Sequence, residues 1–247
     1  MGGRGDLVDV TALERVGRLV RPVALAHEQT LPVHPALGSV LPDGGLRRGG
    51  TVAVSSMSLA LALVAEASQQ GSWVATVGLS SMGLGVAAEM GLALDRLLLV
   101  AAPRGDASVW GSVVAALIDA VDVVLVDGSR LTAGSAIGRR VVARARERGA
   151  VLVEVKTAGA ESLPSDLQLR VTSSRWYGLH EGAGHFQARE VEVEVTGRRG
   201  AARPKQISLW MPDSTGALSA AEIIDEVAEP TRSRSAPTVV RPLRDVG

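Results

Sequence analysis

The chain has 247 residues with 26 basic and 26 acidic side chains, so its formal charge is zero and no global attraction to nucleic acid is implied. Apolar residues make up 46% while Phe and Tyr occur once each, which calls for an aliphatic core, and no apolar run of about 18 residues indicates a membrane span. Zero Cys excludes disulfides and thiolate metal sites.

Of the basic residues 24 are Arg and only Lys156 and Lys205 are lysines, a bias that genome composition explains without function. Asp6, Asp9 and Glu14 with no apolar h-region argue against a secretory leader, and the expected location is cytoplasmic.

Thr11-Ala-Leu-Glu14 matches a capping box, with Leu13, Val16 and Val20 along one side of a short helix that ends near Pro22. His34 to Leu46 reads as loop, since Pro35, Pro42 and Asp43-Gly44-Gly45 are turn chemistry. From Gly50 strands and helices alternate. Thr51–Val54 reads as a strand, Ser58–Gln70 as a helix stopped by Gly71, Trp73–Val77 as a strand, Gly85–Met90 as a short helix and Leu97–Ala101 as a strand. Ala107–Ala120 reads as a helix, Asp122–Val126 as a strand closed by Asp127-Gly128, Ser135–Arg148 as an Arg-rich amphipathic helix and Ala150–Val155 as a strand. Such alternation predicts a mostly parallel sheet with right-handed crossovers.

After Pro164 the pattern changes. Leu167–Thr172, Glu190–Val195 and Gln206–Trp210 read as strands, separated by His180–Gly184 and by the Arg-rich run 197–204. Glu190-Val-Glu-Val-Glu-Val195 alternates strictly, so one face is buried and the other solvated. This predicts an antiparallel extension of the sheet. Ser219-Ala-Ala-Glu222 reads as the cap of a last helix, and the Arg/Ser/Pro-rich tail beyond Glu229 as disordered or ordered on binding. The expected division is 1–34, an N-terminal helix and linker; 35–212, the core; and 213–247, a terminal helix and tail.

The strand Thr51–Val54 enters its helix where many ATPases carry G-x-x-x-x-G-K-[ST], but the turn here is Ser55, Ser56 and Met57, followed by Ser58. It has no glycine amides to wrap phosphates and no lysine. Val121-Asp-Val-Val-Leu-Val-Asp127 is a Walker B-type strand, whose terminal Asp reaches Mg²⁺ in ATPases, although buried strands also end in Asp-Gly turns for structural reasons alone.

The order Leu37-Gly38, Pro42-Asp-Gly-Gly-Leu-Arg-Arg-Gly-Gly50, strand, helix ending at Gly71, strand, Met90-Gly91, strand, helix, Val121–Asp127 resembles the RecA ATPase core. Within that group it looks most like the actinobacterial ImuA-type (ImuA′) proteins, over residues 35–175 and more loosely to 212. The resemblance implies an α/β fold with a RecA-like core, a mostly parallel central sheet with flanking helices and an antiparallel C-terminal extension. It also locates the losses. The catalytic Glu expected after the second strand falls near Leu79, in a run without a carboxylate. The nucleotide-sensing polar residue falls near Glu154-Val155, with no Gln. Between Asp127 and Ala150 there is room for one helix only, so the first DNA-binding loop looks deleted, and the second would be Thr157–Leu163.

With neither loop amides nor Lys, a triphosphate meets hydroxyls and a thioether at this turn. A helix N-terminus attracts anions by about 0.3–1 kcal/mol, against roughly 8 kcal/mol for micromolar affinity. No useful ATP binding, no catalytic residue and no cofactor are therefore expected. Met57, Met82 and Met90, with Leu59, Leu61, Leu79 and Leu84, are expected to fill the space a nucleotide would occupy.

Other sites weigh less. His180-Glu181-x-x-x-His185 has i, i+5 spacing and two glycines, which suits a loop better than a zinc helix, so no metal site is expected. Ser55, Ser56, Ser80 and Ser81 lack a nucleophile elbow and a neighbouring base. Arg198, Arg199, Arg203 and Lys205 form the densest basic cluster, either a solvated hairpin turn or a contact with nucleic acid or an acidic partner. Arg175-Trp176-Tyr177 is the one aromatic cluster, able to close the core or to stack a base.

The resemblance implies a non-catalytic adaptor in DNA-damage-induced translesion synthesis. Its implied partners are ImuB, a Y-family-polymerase-like protein lacking polymerase activity, and through it an error-prone C-family polymerase and the sliding clamp. Recruitment to damaged DNA would associate it with the nucleoid. The helix Thr11–Val20, the sheet edge around Glu190–Val195 and the tail Pro230–Val246 are candidate docking elements. Two rivals remain: a RecA-like ATPase with an unorthodox nucleotide site, resting on Asp127, and a SulA-like inhibitor of cell division.

Overall fold

The structure is a computed structural model that describes residues 30–102, 106–130, 135–156, 163–180, 183–198 and 203–221. The opening helix, most of the Thr157–Leu163 segment, Arg199, and the C-terminal tail therefore lie outside the described residues.

The protein is an α/β structure with a RecA-like core. Strands β3 (Thr51–Val54), β4 (Val74–Val77), β5 (Leu97–Val100), β6 (Val123–Asp127), β7 (Val151–Val155) and β8 (Leu167–His180) run parallel, in the lateral order β8-β3-β7-β6-β4-β5. The antiparallel extension follows on β8 with β9 (Ala183–Gly197), β10 (Lys205–Trp210) and β11 (Ser219–Ala220). A small hairpin of β1 (Thr30–Leu31) and β2 (Leu46–Arg47) stands apart from that sheet.

The parallel strands are short aliphatic runs because both faces are covered. On one face α2 (Met57–Gln69) and α3 (Leu84–Glu89) meet Val52, Val54, Val123, Leu125, Val151 and Val153. The other face packs Val124, Val126 and Leu152 against α4 (Ala107–Ala120) and α5 (Ala136–Arg148). Helix starts follow their caps: Ser56, Asp106 and Ser135 each accept an N–H from the first turn. Gly149, at φ 72°, ends α5 in the left-handed conformation. No helix among the described residues is long and apolar enough to cross a membrane.

Four sequence expectations change. Glu190–Val195, expected at a sheet edge, lies in β9 and is paired on both sides, with β8 and with β10. The 34–46 region is not all loop, because α1 (Pro35–Gly38) forms there, with Pro35 at a first-turn position and His34 as its N-cap. Proline can begin a helix where its missing N–H has no partner to lose. Leu37, Val40, Leu41 and Leu46 of this region, with Leu31 and Val33 just before it, join the α2-side core.

Strand β8 runs well past Thr172 and β9 begins well before Glu190, so His180 and Ala183 pair at the end of a long ribbon. Register shifts between Val171 and Ser173 and between Tyr177 and Leu179 break the alternation that would have marked it. Finally, Ser219 and Ala220 pair with Trp210 and Leu209 as a strand, where a helix cap was expected.

Candidate functional site

The turn after β3 is knitted into the protein. Ser55 N–H donates to the Leu169 carbonyl at 3.1 Å, and Val171 N–H donates to Ser55 Oγ at 2.9 Å. Ser55 thus prolongs the β3–β8 ladder by one residue. Ser56 is the N-cap of α2; its Oγ accepts Leu59 N–H at 3.2 Å and its carbonyl accepts Ala60 N–H at 3.1 Å. Ser58 lies half-buried in the first turn of that helix.

Leu59 and Leu61 are fully buried, and Met57, Leu79 and Met82 pack half-buried against the same core; Met90 also packs on it, but at the far end of α2, where the adjoining Gly91 meets Ala65 and Gln69. Leu84 departs from the expectation and faces solvent at 45% exposure.

Asp127 ends β6 beside Val155, on the sheet face shared with α2. Its Oδ1 accepts Ser129 N–H at 2.9 Å and its Oδ2 accepts the Ser129 hydroxyl at 2.8 Å. The carboxylate therefore organises the 3-10 turn Gly128–Arg130, the structural use that an Asp-Gly strand end allows.

One register step away, Glu154 lies opposite Val126, points to the α4–α5 face and is 0% exposed. Both its oxygens accept Leu163 N–H, at 3.1 and 3.0 Å. Gly128 makes room for it, since a Cβ there would lie 2.8 Å from Glu154 Oε1. Sequence reasoning placed Glu154 near a nucleotide sensor; the structure gives it a burial role, and the glycine after Asp127 was the available signal.

The described members of the basic cluster flank the β9–β10 connection, where Lys205 pairs with Val195. Arg198 N–H donates to the Asp166 carbonyl at 2.9 Å, at the start of β8, while Arg203 and Lys205 are exposed at the entry to β10. The aromatic cluster does not close the core. On the β8–β9 ribbon Trp176 is 46%, Tyr177 37% and Phe186 57% exposed. Trp176 contacts Phe186 with ring centroids 4.9 Å apart, and Arg189 lies over the Trp176 ring at 5.6 Å. Tyr177 meets Trp210 edge-on at 5.1 Å and donates its hydroxyl to Glu190 at 2.7 Å. The Arg175 guanidinium pKa is raised, first by its hydrogen bond with Tyr177 and then by charge interactions with Tyr177 and Glu190. Sequence reasoning did not include Phe186, Arg189 and Trp210 in this cluster, because they are joined to it only by strand pairing.

Two comparisons with known proteins bear on this arrangement. The family model described as the MT3502 N-terminal domain matches residues 39–160, the stretch that starts just after α1 and runs past β7. Over 145 residues the chain is 37% identical to the uncharacterized protein Rv3395c of Mycobacterium tuberculosis (strain ATCC 25618 / H37Rv), an alignment covering 57% of this chain and 69% of that relative.

Proposed function

This chain belongs to the family of Rv3395c and the MT3502 N-terminal domain, and from that premise we propose that it is a non-catalytic, RecA-fold adaptor of the ImuA type, acting in damage-induced translesion synthesis. The observation that carries the non-catalytic part is the engagement of the polar groups where a nucleotide would bind. Ser55 serves β8, Ser56 caps α2 and Asp127 holds Ser129. A triphosphate would have to displace these bonds and would find no lysine in the turn; Lys156, beside Val54 at the end of β7, directs its Nζ to Gln168 Oε1 at 3.4 Å. The ATPase rival rests on Asp127, whose two oxygens already accept from Ser129.

The adaptor part is supported by the ribbon. The whole chain has six aromatic residues of the Phe, Tyr and Trp types, and three of them are exposed on β8 and β9. Exposed Trp and Tyr beside Arg have the composition of interface hot spots. The partner of this reading is an ImuB-like inactive Y-family polymerase homologue, and through it an error-prone C-family polymerase and the sliding clamp. Co-purification with the ImuB-like protein tests it. Association at micromolar concentration is expected, with the Trp176→Ala/Phe186→Ala double variant weakened roughly tenfold or more and its thermal midpoint unchanged. A wild-type chain that fails to associate would remove the assignment.

A further inference from the structure

At the amino-terminal edge of the sheet, the edge away from Ser55 and Asp127, a cleft of about 480 Å³ opens between the Arg47–Gly50 turn, the end of α5 and the start of β8. Its walls carry Arg47, Arg48, Arg146 and Arg198 against the carboxylates Asp43 and Asp166, and with Arg48 neutralised by Asp122 behind it the surplus is one positive charge. The acids are partly engaged already. Asp166 Oδ2 accepts Thr51 N–H at 3.1 Å, and its Oδ1 stands 3.7 Å from Arg146 Nη2.

Arg48 turns inward to Asp122 at 2.9 Å. Arg47 and Arg198 are exposed, and neither guanidinium has a carboxylate partner among the described residues. Within the walls, Arg48 Nε and Thr51 Oγ1 are buried with no hydrogen-bond partner among the described residues, so the protein leaves polar capacity here unmatched. The glycines shape the site: Gly49 has φ 73°, and a Cβ on it would lie 3.0 Å from the Arg146 backbone. Only a glycine lets the turn bearing Arg47 and Arg48 rest this closely on the end of α5.

We propose that this cleft binds a phosphate group, with Arg47 and Arg198 as its principal contacts and Arg146 as an auxiliary one. Guanidinium forks match phosphate oxygens in geometry and charge, and stay charged at every physiological pH. The volume lies within the range of about 300–1,000 Å³ typical of small-ligand sites. Phosphate can reach the cleft on a small molecule seated inside it, or on a nucleic-acid strand lying across its mouth. The site stands whether or not the ImuA-type reading holds, because it uses none of the ribbon or the Ser55 turn.

The test titrates the full chain at low salt with two probes, inorganic pyrophosphate by calorimetry and a fluorescein-labelled twenty-nucleotide oligothymidylate by anisotropy. Saturable binding of at least one probe is expected. The Arg47→Ala/Arg198→Ala variant should weaken it roughly tenfold or more, and Asp43→Asn should tighten it about twofold to threefold by removing an exposed like charge. Arg140→Ala, on the exposed side of α5 and outside the cleft, should leave it unchanged. Circular dichroism verifies folding, and the single Arg198→Gln variant reads the same loss in smaller measure should the double variant unfold. Pyrophosphate binding alone identifies a small ligand. Oligonucleotide binding whose salt slope shallows by about 1.4 in the double variant, two contacts at about 0.7 each on a single strand, identifies a phosphate backbone. No binding of either probe, or equal loss in Arg140→Ala, overturns the proposal.

Discussion

Asp122 shows how much one side chain can organise at the start of a strand. Its Oδ2 accepts Trp73 N–H at 3.1 Å before β4, its Oδ1 accepts Arg48 Nη1 at 2.9 Å, and its side chain is 10% exposed. In the sequence it reads only as the polar residue that opens an apolar run, because both partners are distant in the chain. Asp122→Ala strands a half-buried guanidinium and a backbone donor together, at a cost of about 2–3 kcal/mol. Urea denaturation should show that loss with an unchanged m-value. Asp122→Asn retains an acceptor for Trp73 and should lose less. Equal stability for Ala and wild type would show that Arg48 and Trp73 find solvent unaided.

At the scale of elements, legibility in the sequence followed burial. Strands β3 to β7 and the helices between them were readable because aliphatic runs end at capping residues and at glycines such as Gly71 and Gly149, both at positive φ. The outer half of the β8–β9 ribbon was not, because residues 172–177 are exposed on both faces and carry no apolar period. Its one local clue was Gly178, at φ 108°, where a Cβ would lie 2.3 Å from the His185 carbonyl oxygen. The Arg cleft was hidden for another reason, because its walls come from four separate segments of the chain. Gly178→Val should therefore open the ribbon without opening the core. Limited proteolysis is expected to cut the variant between 172 and 188, with Trp fluorescence shifted to the red and the thermal midpoint close to wild type. A large fall in the midpoint would show instead that the ribbon folds cooperatively with the sheet.

The whole molecule couples its two helical layers through one sheet, so a ligand on the carboxyl edge near β3 and β6 would report in global stability. A site with a dissociation constant of 10 µM, filled by 1 mM Mg-ATP, adds about 2.7 kcal/mol to the native state. For a domain of this size that raises the thermal midpoint by roughly 5–10 °C. Ser55, Ser56 and Asp127 are already bonded within the fold, and Met57, Leu79 and Met82 lie against its core. The expected shift with 1 mM Mg-ATP is therefore below about 1 °C. The same scan with Asp127→Ala separates two causes of any shift, since a bound Mg²⁺-nucleotide would lose its carboxylate there, whereas non-specific ionic stabilisation would persist. A rise of several degrees that vanishes in Asp127→Ala would return the Ser55 turn to the working nucleotide sites.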